Sequence, residues 1–573
     1  MNYTSLEDCI EDLKRNDHLK IITKEVDPNL EIASIHLEEY KKSGPALLFT
    51  NVKGSKFPAV SNLFGTHERS KFIFRKSINR VKHLIDLKIS PINAFKNPIK
   101  SLGNAFYALN SLPKKNSFPD QFKEINLSDV PQIKSWPEDG GAFITLPQVY
   151  SEDINKPGIM NSNLGMYRIQ ISGNKYVKDK EVGVHYQIHR GIGIHQKNAL
   201  KKNQPLKVSI FVGGPPAHTF SAVMPLPENM SELNFAGILA GRRFRYSIKD
   251  DYVISSDADF VICGEMSSDL KPEGPFGDHL GYYSLKHDFP FLKIHKVYAK
   301  NSSIWPFTVV GRPPQEDSHF GKLIHIMTGN AVENEIPGLK SVNAVDEAGV
   351  HPLLLAIGSE RYTPYNPTKK PKELLTIAHH ILGTGQLSLA KYLFIIDEEN
   401  APDINNVQAF FIHFLERVDW NRDLHFLTKT TIDTLDYSSK KLNEGSKLIA
   451  AAAGEKKVEL ANKVPNIKLS NDFNNVELVF NGVLAIDGIG SLNNLKTELE
   501  NNILNQIRLI VYVDDAKYTS KDLSNWLWIC FTRSNPSHDI IGLHEKIEHK
   551  HYSCSIPIID ARTKSHHAPI LKR

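Results

Sequence analysis

The spacing of apolar residues changes along the chain. In the first 42 residues, apolar residues recur every three or four positions, as in an amphipathic helix. Apolar residues at helical intervals follow Thr4 and Ser5, either of which can cap a helix. Residues 4–42 are therefore predicted as helix, turn and helix. Residues 46–50 are a candidate for a short buried strand, and 67–100 are basic with a helical pattern.

An irregular segment, residues 101–136, is rich in Asn, Ser, Pro and Lys and predicts a domain boundary. From about residue 140 to 311 the pattern then favours strands. In Tyr167–Ile171 the apolar side chains share one face, and Arg168 and Gln170 share the other. A sheet with one apolar and one polar face predicts a split β-barrel that lines a polar cavity.

A second alternating run, 182–189, continues this pattern. Its polar face carries His185, Gln187 and His189. His185 and His189 imitate an HxxxH zinc motif, but Tyr186 replaces the expected Glu and the run alternates as a strand. A metalloprotease helix is therefore not predicted here.

After residue 330, helical and strand patterns alternate as in an α/β domain, with a helix over 374–382 and strands over 392–396 and 509–513. The predicted fold class is α+β and α/β, in three domains. These are an N-terminal α/β domain (1–136), a central split barrel (137–330) and a C-terminal α/β domain (331–573) with an elaboration at 399–480.

Composition narrows the classes of function. The 573 residues are 23% charged and 41% hydrophobic, which is ordinary for a globular protein. A net charge of +5 without a basic stripe does not favour nucleic-acid binding. The four cysteines are far apart, the first residues lack an apolar signal core, and no apolar run is long enough to span a bilayer. These features predict a cytoplasmic protein with reduced thiols.

The most informative motif is the loop 271–283, KPEGPFGDHLGYY, which places two acids five residues apart among three glycines and two prolines. Proline fixes φ and glycine allows unusual backbone angles, so a stiff, turning loop is predicted rather than a helix. Glu273 and Asp278 are then aimed at one place, where paired acids can divide proton donation and acceptance. An ordinary acidic surface turn is the alternative.

Six ordered motifs over roughly residues 30–535 resemble the UbiD family of decarboxylases, in particular its long bacterial form. They are the acidic loop, NSNLGMYR (161–168), HRG (189–191), MPLPENMSE (224–232), ERYTPY (360–365) and GTGQL (383–387). The segment 399–480 and the tail fit the family less well.

The resemblance implies prenylated FMN as the cofactor, made by a separate flavin prenyltransferase. It also implies a divalent metal, Mn²⁺ or Mg²⁺, often with K⁺ nearby, and reversible non-oxidative decarboxylation. The Asp form of the acidic loop points to a 4-hydroxybenzoate-type acid, with or without a polyprenyl tail, in quinone biosynthesis. Another aryl or acrylic acid is the alternative substrate, and the family forms dimers or hexamers.

By resemblance, Arg168 holds the substrate carboxylate, Glu273 pairs with Arg168, and Asp278 exchanges the proton. Asn163, His189 and Glu232 are the metal ligands, a donor set that suits such an ion. The residues predicted to bind the cofactor are Asn163, Met166, Tyr167, Arg168, Gln187, His189, Arg190, Met224, Pro225 and Glu232. Backbone oxygens of Ser221, Ala222 and Met224 are the K⁺ candidates.

Several simpler interpretations compete with these roles. His189 also fits an ordinary strand histidine, and Arg168 a surface ion pair. The basic segment 71–100 fits an amphipathic surface helix as well as a contact with anionic lipid. The whole chain could also be a cofactor-free binding protein, or a metal hydrolase that uses His189 and Glu232.

Overall fold

The computed structural model describes residues 3–89, 106–186, 191–226, 231–328, 335–362, 365 and 369–573. The predicted cofactor residues Gln187, His189 and Arg190 lie outside these ranges, as do 90–100 of the predicted basic helical segment. The chain forms two compact units, Met1–Ala331 with Ile570–Arg573, and Val332–Pro569. The predicted division of the first unit at residue 136 stays a prediction.

The first unit contains both helices and strands. Its helices are α1 (Leu6–Arg15), α2 (Glu31–Lys41), α3 (His67–Ile73), α4 (Ile78–Ile89), α5 (Gly191–Lys201), α6 (Pro216–Ser221), α7 (Glu232–Ala240) and α8 (Ser318–Thr328). Its strands are β1 (Leu19–Ile22), β2 (Ala46–Phe49), β3 (Ala59–Ser61), β4 (Lys114–Lys115), β5 (Phe122–Glu124), β6 (Phe143–Ile144), β7 (Pro147–Glu152), β8 (Ser162–Gly165), β9 (Ile169–Gln170), β10 (Glu181–Val184), β11 (Leu206–Val212), β12 (Arg245–Lys249), β13 (Tyr252–Ser255), β14 (Phe260–Glu273), β15 (Phe276–Gly277), β16 (Tyr283–Ser284), β17 (His287–Lys300) and β18 (Trp305–Phe307).

The prediction for residues 4–42 is only partly correct. Ser5 caps α1, since its hydroxyl accepts a hydrogen bond from Asp8 N at 3.1 Å. The predicted turn between the two helices, however, contains β1, which pairs in parallel with β2. Because β2 lies about two dozen residues after β1, the residues around β1 do not indicate that a pairing strand is available, and the local pattern predicts only a turn.

The nine-stranded central sheet builds the first unit around a large apolar core. Eight of its strands follow the order β6-β9-β10-β17-β14-β11-β7-β8, and β5 pairs with β17. Tyr167, Ile169 and Ile171 are buried in the core, as their alternation predicts. Within the described part of the strand predicted over 182–189, β10 ends at Val184, where its pairing with β9 also ends.

The second unit has two five-stranded sheets, in the orders β19-β20-β21-β23-β22 and β24-β25-β26-β30-β27. The segment 399–480, predicted as an elaboration, supplies two neighbouring strands of the first of these sheets and one edge of the second. The elements are α9 (Glu373–Leu382), α10 (Val407–Arg417), α11 (Leu492–Glu500), α12 (Ala516–Ser520), α13 (Leu523–Arg533), α14 (Pro536–Asp539), β19 (Leu339–Ala344), β20 (Leu353–Gly358), β21 (Tyr392–Asp397), β22 (Leu424–Thr430), β23 (Gly445–Ala452), β24 (Phe473–Phe480), β25 (Val483–Gly488), β26 (Leu509–Val513), β27 (Ile540–Leu543), β28 (Lys546–Glu548), β29 (His551–Ser553) and β30 (Ile556–Asp560).

The mixed architecture confirms the predicted α+β and α/β class. Parallel pairing of β20, β21 and β23, and of β25, β26 and β30, is typical of α/β domains. Within the described ranges, no helix combines the length and the apolar character needed to cross a membrane.

A buried histidine in α2 makes the stability of the first unit dependent on pH. His36 is fully buried, and among the described residues neither ring nitrogen has a hydrogen-bond partner. Burial, together with the charges of Arg573 and Arg69, lowers the pKa of His36 to about 3. The unfolded chain therefore takes up this proton near pH 6.5, whereas the folded chain stays neutral.

The stabilisation from a neutral His36 is complete above pH 6.5 and is lost as the pH falls from there towards 3. Between pH 7.5 and 5.5 the loss is about 1.4 kcal/mol for this one group. We expect His36→Leu to reduce the loss of unfolding free energy between these pH values by that amount, measured by urea denaturation. An identical pH dependence in both proteins would contradict the assignment.

Candidate active site

Arg168 forms the centre of a buried cluster of opposite charges. It follows β8, and its Nε and Nη2 donate to both oxygens of Glu273, at 2.8 and 2.7 Å. Its Nη1 donates to Asp278 Oδ2, and Nη2 also reaches Ser284 Oγ at 2.9 Å. The guanidinium lies 4.8 Å from the ring centroid of Phe276. A fork of this kind is specific to arginine.

The cluster is shielded from water, so the interpretation of Arg168 as a surface ion pair is wrong. The side chains of Arg168, Glu273 and Asp278 are 8%, 0% and 9% exposed. Taking charges out of water is costly, and here the cost is offset only by mutual pairing and hydrogen bonds. Such an arrangement holds a strongly oriented positive charge next to two acids.

Burial and the nearby guanidinium have opposite effects on the pKa values of Glu273 and Asp278. Burial alone would raise the pKa of Glu273, but the charge and hydrogen bonds of Arg168 outweigh it and lower that pKa. Burial likewise acts to raise the pKa of Asp278, while hydrogen bonds from His279 and the charge of Arg168 lower it. Both acids are therefore ionised at neutral pH while Arg168 contacts them.

The acidic loop is not helical, as its prolines and glycines predict, but it is less irregular than expected, because 271–273 end β14 and the short strands β15 and β16 pair with each other. Glu273 ends β14, and Gly274 has φ +84°, a value that suits glycine. Gln170 Oε1 accepts a hydrogen bond from Gly274 N at 2.9 Å. Asp139 Oδ1 accepts one from Gly277 N at 2.7 Å. Two side chains from outside the loop thus hold the turn that carries both acids.

The last described residues also pack against this loop. Leu571 N donates to Gly281 O at 3.1 Å, and Tyr282 forms an isolated antiparallel bridge with Ile570. Arg573 lies 5.2 Å from the ring centroid of Trp136, whose own ring covers Gly277. The segment Ile570–Arg573 therefore supports the outer side of the loop, a role that no local sequence signal indicates.

Two of the three predicted metal ligands are neighbours in space. Glu232 begins α7, and its Oε2 accepts a hydrogen bond from Leu164 N at 2.8 Å. Leu164 directly follows Asn163 in β8. Gly191 lies against Asn163 so closely that a Cβ atom there would be 2.4 Å from Asn163 Oδ1. The third predicted ligand, His189, lies outside the described residues.

The remaining predicted cofactor residues have different surroundings. Tyr167 is buried with its hydroxyl 3.2 Å from Asn163 Nδ2. Met166 N donates to Ala222 O at 2.9 Å, which links the predicted cofactor segment to the predicted K⁺ segment. Met224 is buried in an apolar cluster, whereas Pro225 is exposed.

The predicted K⁺ oxygens already accept hydrogen bonds. Besides Ala222 O, Ser221 O accepts from Met224 N at 3.2 Å, and Met224 O accepts from Leu226 N at 3.0 Å. A carbonyl oxygen has two lone pairs, so each retains the capacity for a further ligand. The K⁺ site stays a prediction.

Three residues next to Arg168 had no assigned role in the sequence. Ser284 and Phe276 contact the guanidinium directly. His185 is buried with its ring centroid 4.5 Å from that of Phe289. Burial and the charge of Arg168 lower the pKa of His185 to about 4, so its ring is neutral. Its place on the predicted polar face was the signal that could have identified it.

A substitution at Gly140 can test whether the close packing of the acidic loop is needed for stability and activity. A Cβ atom at Gly140 would lie 2.2 Å from Gly274 O, so Gly140→Ala must displace the turn. We expect this variant to lose about 1–3 kcal/mol of unfolding free energy and to be less active, because Glu273 moves with Gly274. Calorimetry and a decarboxylation assay measure the two effects.

Gly321 in α8 is the matched control for this substitution, since a Cβ atom there meets nothing within 4 Å. Gly321→Ala should raise stability by about 0.5–1 kcal/mol, because alanine favours the helix, and should leave activity unchanged. Equal behaviour of the two variants would contradict a close fit at Gly140.

Comparison with known proteins matches the sequence and the fold of this chain to one class of enzyme. Three family models match consecutive parts of the chain: the N-terminal domain (10–88), the Rift-related domain (110–313) and the C-terminal domain (318–452) of 3-octaprenyl-4-hydroxybenzoate carboxy-lyase. A Chlamydia pneumoniae protein, named as a component of 4-hydroxybenzoate decarboxylase, is 38% identical over 554 residues, which cover 94% of this chain and 90% of that protein.

Solved structures show the same fold. Vanillic acid decarboxylase of Sedimentibacter hydroxybenzoicus, in its closed form, has a TM-score of 0.68 at 21% identity, covering 82% of this chain and 97% of its own. An evolved dimeric form of the UbiD-class enzyme HmfF from Pelotomaculum thermopropionicum, in complex with prFMN, has a TM-score of 0.60 at 18% identity, covering 78% and 95%.

These matches define a carboxy-lyase, an enzyme that releases CO₂ from an acid. The chain belongs to the UbiD family, as its six motifs predict.

Proposed function

We propose that the enzyme catalyses the reversible, non-oxidative decarboxylation of a 4-hydroxybenzoate-type acid, with or without a polyprenyl tail, in quinone biosynthesis. The observation that carries this proposal is the buried contact of Arg168 with Glu273 and Asp278. A guanidinium there can bind a carboxylate, and an acid beside it can move a proton. The name of the Chlamydia pneumoniae relative supports the choice of acid.

The proposed cofactor is prenylated FMN, supplied by a separate flavin prenyltransferase, as a complex with prFMN in a structural relative supports. The residues that would hold it through Mn²⁺ or Mg²⁺ are Asn163, His189 and Glu232. The carboxylate of Glu232 accepts a hydrogen bond from the backbone of Leu164, the residue after Asn163, so the two side chains belong to neighbouring segments. An amide oxygen and a carboxylate are donors that fit such an ion. When bound, the flavin supplies the electron sink for the loss of CO₂.

Arg168 would bind the substrate carboxylate by exchanging partners. Its two-pronged contact with Glu273 uses Nε and Nη2, so Nη1 is the donor that can leave Asp278 for the substrate. That exchange removes one of the influences that lower the pKa of Asp278. Asp278 then becomes better able to take up a proton and to deliver it to the carbon that loses CO₂.

The burial of the cluster suits this chemistry. The carboxylate becomes neutral CO₂ in the reaction, so the hold of Arg168 on it weakens as the product forms. A dry site strengthens the electrostatic attraction before the step and keeps bulk water away from the reacting carbon. Ser284 and Phe276 would keep the guanidinium in place while its partners change.

The test is CO₂ release by the protein co-expressed with a flavin prenyltransferase, assayed on a panel of hydroxybenzoates, polyprenylated hydroxybenzoates, other aryl acids and acrylic acids. We expect release from 4-hydroxybenzoate-type acids only in the co-expressed sample, and loss of release when the metal is removed with EDTA. Protein that binds flavin but releases no CO₂ from any acid would refute the proposal in favour of a binding protein.

Other outcomes of the panel distinguish the remaining alternatives. Release from acrylic acids alone would identify a different substrate branch. Hydrolytic activity without flavin would support the metal hydrolase.

We further propose a cytoplasmic homo-oligomer, a dimer or a hexamer, with peripheral membrane contact through the basic segment 71–100 when the acid carries a lipid tail. Light scattering and vesicle sedimentation test these two points.

A further inference from the structure

A cationic pocket forms on the first unit from residues that the candidate active site does not use. Its volume is about 430 Å³, and its lining residues are Thr4, Asn110, Lys114, Gly241, Arg242, Arg243 and Arg245. Four of these seven carry a positive charge, and none of the seven is acidic. The residues come from Thr4, from 110–114, which reach the start of β4, and from 241–245, which follow α7 and reach the start of β12, so three separate segments of the chain converge on the pocket.

The arginines are fixed in place by one buried acid. Asp257, whose side chain is 1% exposed, accepts two hydrogen bonds from Arg242 Nη2, at 2.9 and 2.8 Å. It also accepts hydrogen bonds from Arg245 Nε, at 3.0 Å, and from Arg245 Nη2. A single carboxylate thus orients two guanidinium groups but neutralises only one of them. Orientation in advance lowers the entropy cost of binding a ligand.

Positive charge remains in excess when the groups around the pocket are included. Lys114 and Arg245 are direct register partners on the parallel strands β4 and β12, a placement of like charges that is unfavourable without an anion. Lys300 is a further cation whose charge interacts with Arg242 and Arg245. Asp257 and Asp259 are the acids whose charges act on Lys300. Among the described residues, the four cations of the lining therefore outnumber the one acid, Asp257, that forms ion pairs with two of them.

We propose that this pocket binds an anion of the phosphate class, a phosphate or diphosphate ester. Oriented guanidinium groups match phosphate oxygens with paired hydrogen bonds, and Lys114 adds a point charge from the opposite strand. Arg243 lines the pocket and is exposed, so its guanidinium is available to the ligand. This site is additional to the proposed decarboxylase activity and does not depend on it.

The phosphate has two sources that experiment can separate, a soluble ester and a lipid headgroup. The probes are pyrophosphate, followed by titration calorimetry at low ionic strength, and vesicles of phosphatidylglycerol or phosphatidylcholine, followed by sedimentation. The test variant is Lys114→Ala/Arg243→Ala, which leaves the contacts of Asp257 intact. The matched control is Lys41→Ala/Lys42→Ala, which removes two exposed cations from the end of α2.

We expect pyrophosphate to bind the full-length protein, and the test variant to bind it at least about tenfold more weakly while the control is unchanged. Additional binding to phosphatidylglycerol vesicles, lost in the test variant alone, would identify a lipid headgroup. Pyrophosphate binding without vesicle binding would identify a soluble ester. Failure of the wild-type protein to bind pyrophosphate, or equal weakening in both variants, would overturn the proposal.

Discussion

Asp278→Asn is expected to lower kcat by about 10²- to 10⁴-fold, the range typical of a lost proton donor. Asparagine keeps the shape of the side chain and can still accept the hydrogen bond from His279 N, which Asp278 Oδ1 now accepts at 2.7 Å. It cannot, however, exchange a proton. Exchange of solvent deuterium into added product should therefore slow by the same factor, while flavin content and melting temperature stay close to those of the wild type.

Asp251→Asn is the control for this substitution. The side chain of Asp251 is 87% exposed and pairs with Lys207 on the surface, so its replacement should change neither rate nor isotope incorporation. If Asp278→Asn continued to introduce solvent deuterium at the wild-type rate, Asp278 would not be the proton donor. A protein that lost both fold and flavin would instead indicate that the buried charge pair is mainly structural.

Arg168→Lys is expected to lower kcat/KM by about 10²- to 10³-fold. Lysine keeps the charge but not the fork, so it cannot bind both oxygens of Glu273 and also reach Asp278. A poorly paired acid in this buried site costs about 3–5 kcal/mol, and part of that cost should appear as lower stability. Steady-state kinetics and thermal unfolding measure the two contributions separately.

Arg75→Lys is the matched control, since Arg75 pairs with Asp12 where both side chains are partly exposed. There lysine can keep the charge contact with Asp12, and the bonds from Arg75 Nη1 to Tyr3 and Phe72 that it loses can be replaced by water, so we expect stability to change by about 1 kcal/mol or less. Full activity of Arg168→Lys would show that the cluster needs only a positive charge at this position. The paired hydrogen bonds from the guanidinium to a carboxylate would then not be part of the proposed function.

The local sequence pattern correctly predicted the elements whose conformation does not depend on residues far away in the sequence. Alternation identified the buried residues 167, 169 and 171, and apolar runs identified β21 and β26. The prolines and glycines of the acidic loop correctly excluded a helix. In each case neighbouring residues carry the information, because side-chain period and backbone freedom are local properties.

The predictions were wrong where a distant partner decides the structure. β1 exists because β2 is available for pairing, and β10 ends at Val184, where its pairing with β9 ends. Ser284 and Phe276 contact Arg168 across more than one hundred residues, so no spacing in the sequence could join them. The cationic pocket has the same origin, because β12 and β4 meet only in the folded sheet.

The sequence by itself determined the family, the α+β class, the stiffness of the acidic loop and the kinds of side chain available for chemistry. Only the tertiary structure decided that Arg168 meets Glu273 and Asp278 at 105 and 110 residues of separation, out of contact with water. Burial and pairing are properties of the packed sheets rather than of any segment. The charge of each acid depends on them, since one guanidinium offsets the cost of burying two carboxylates.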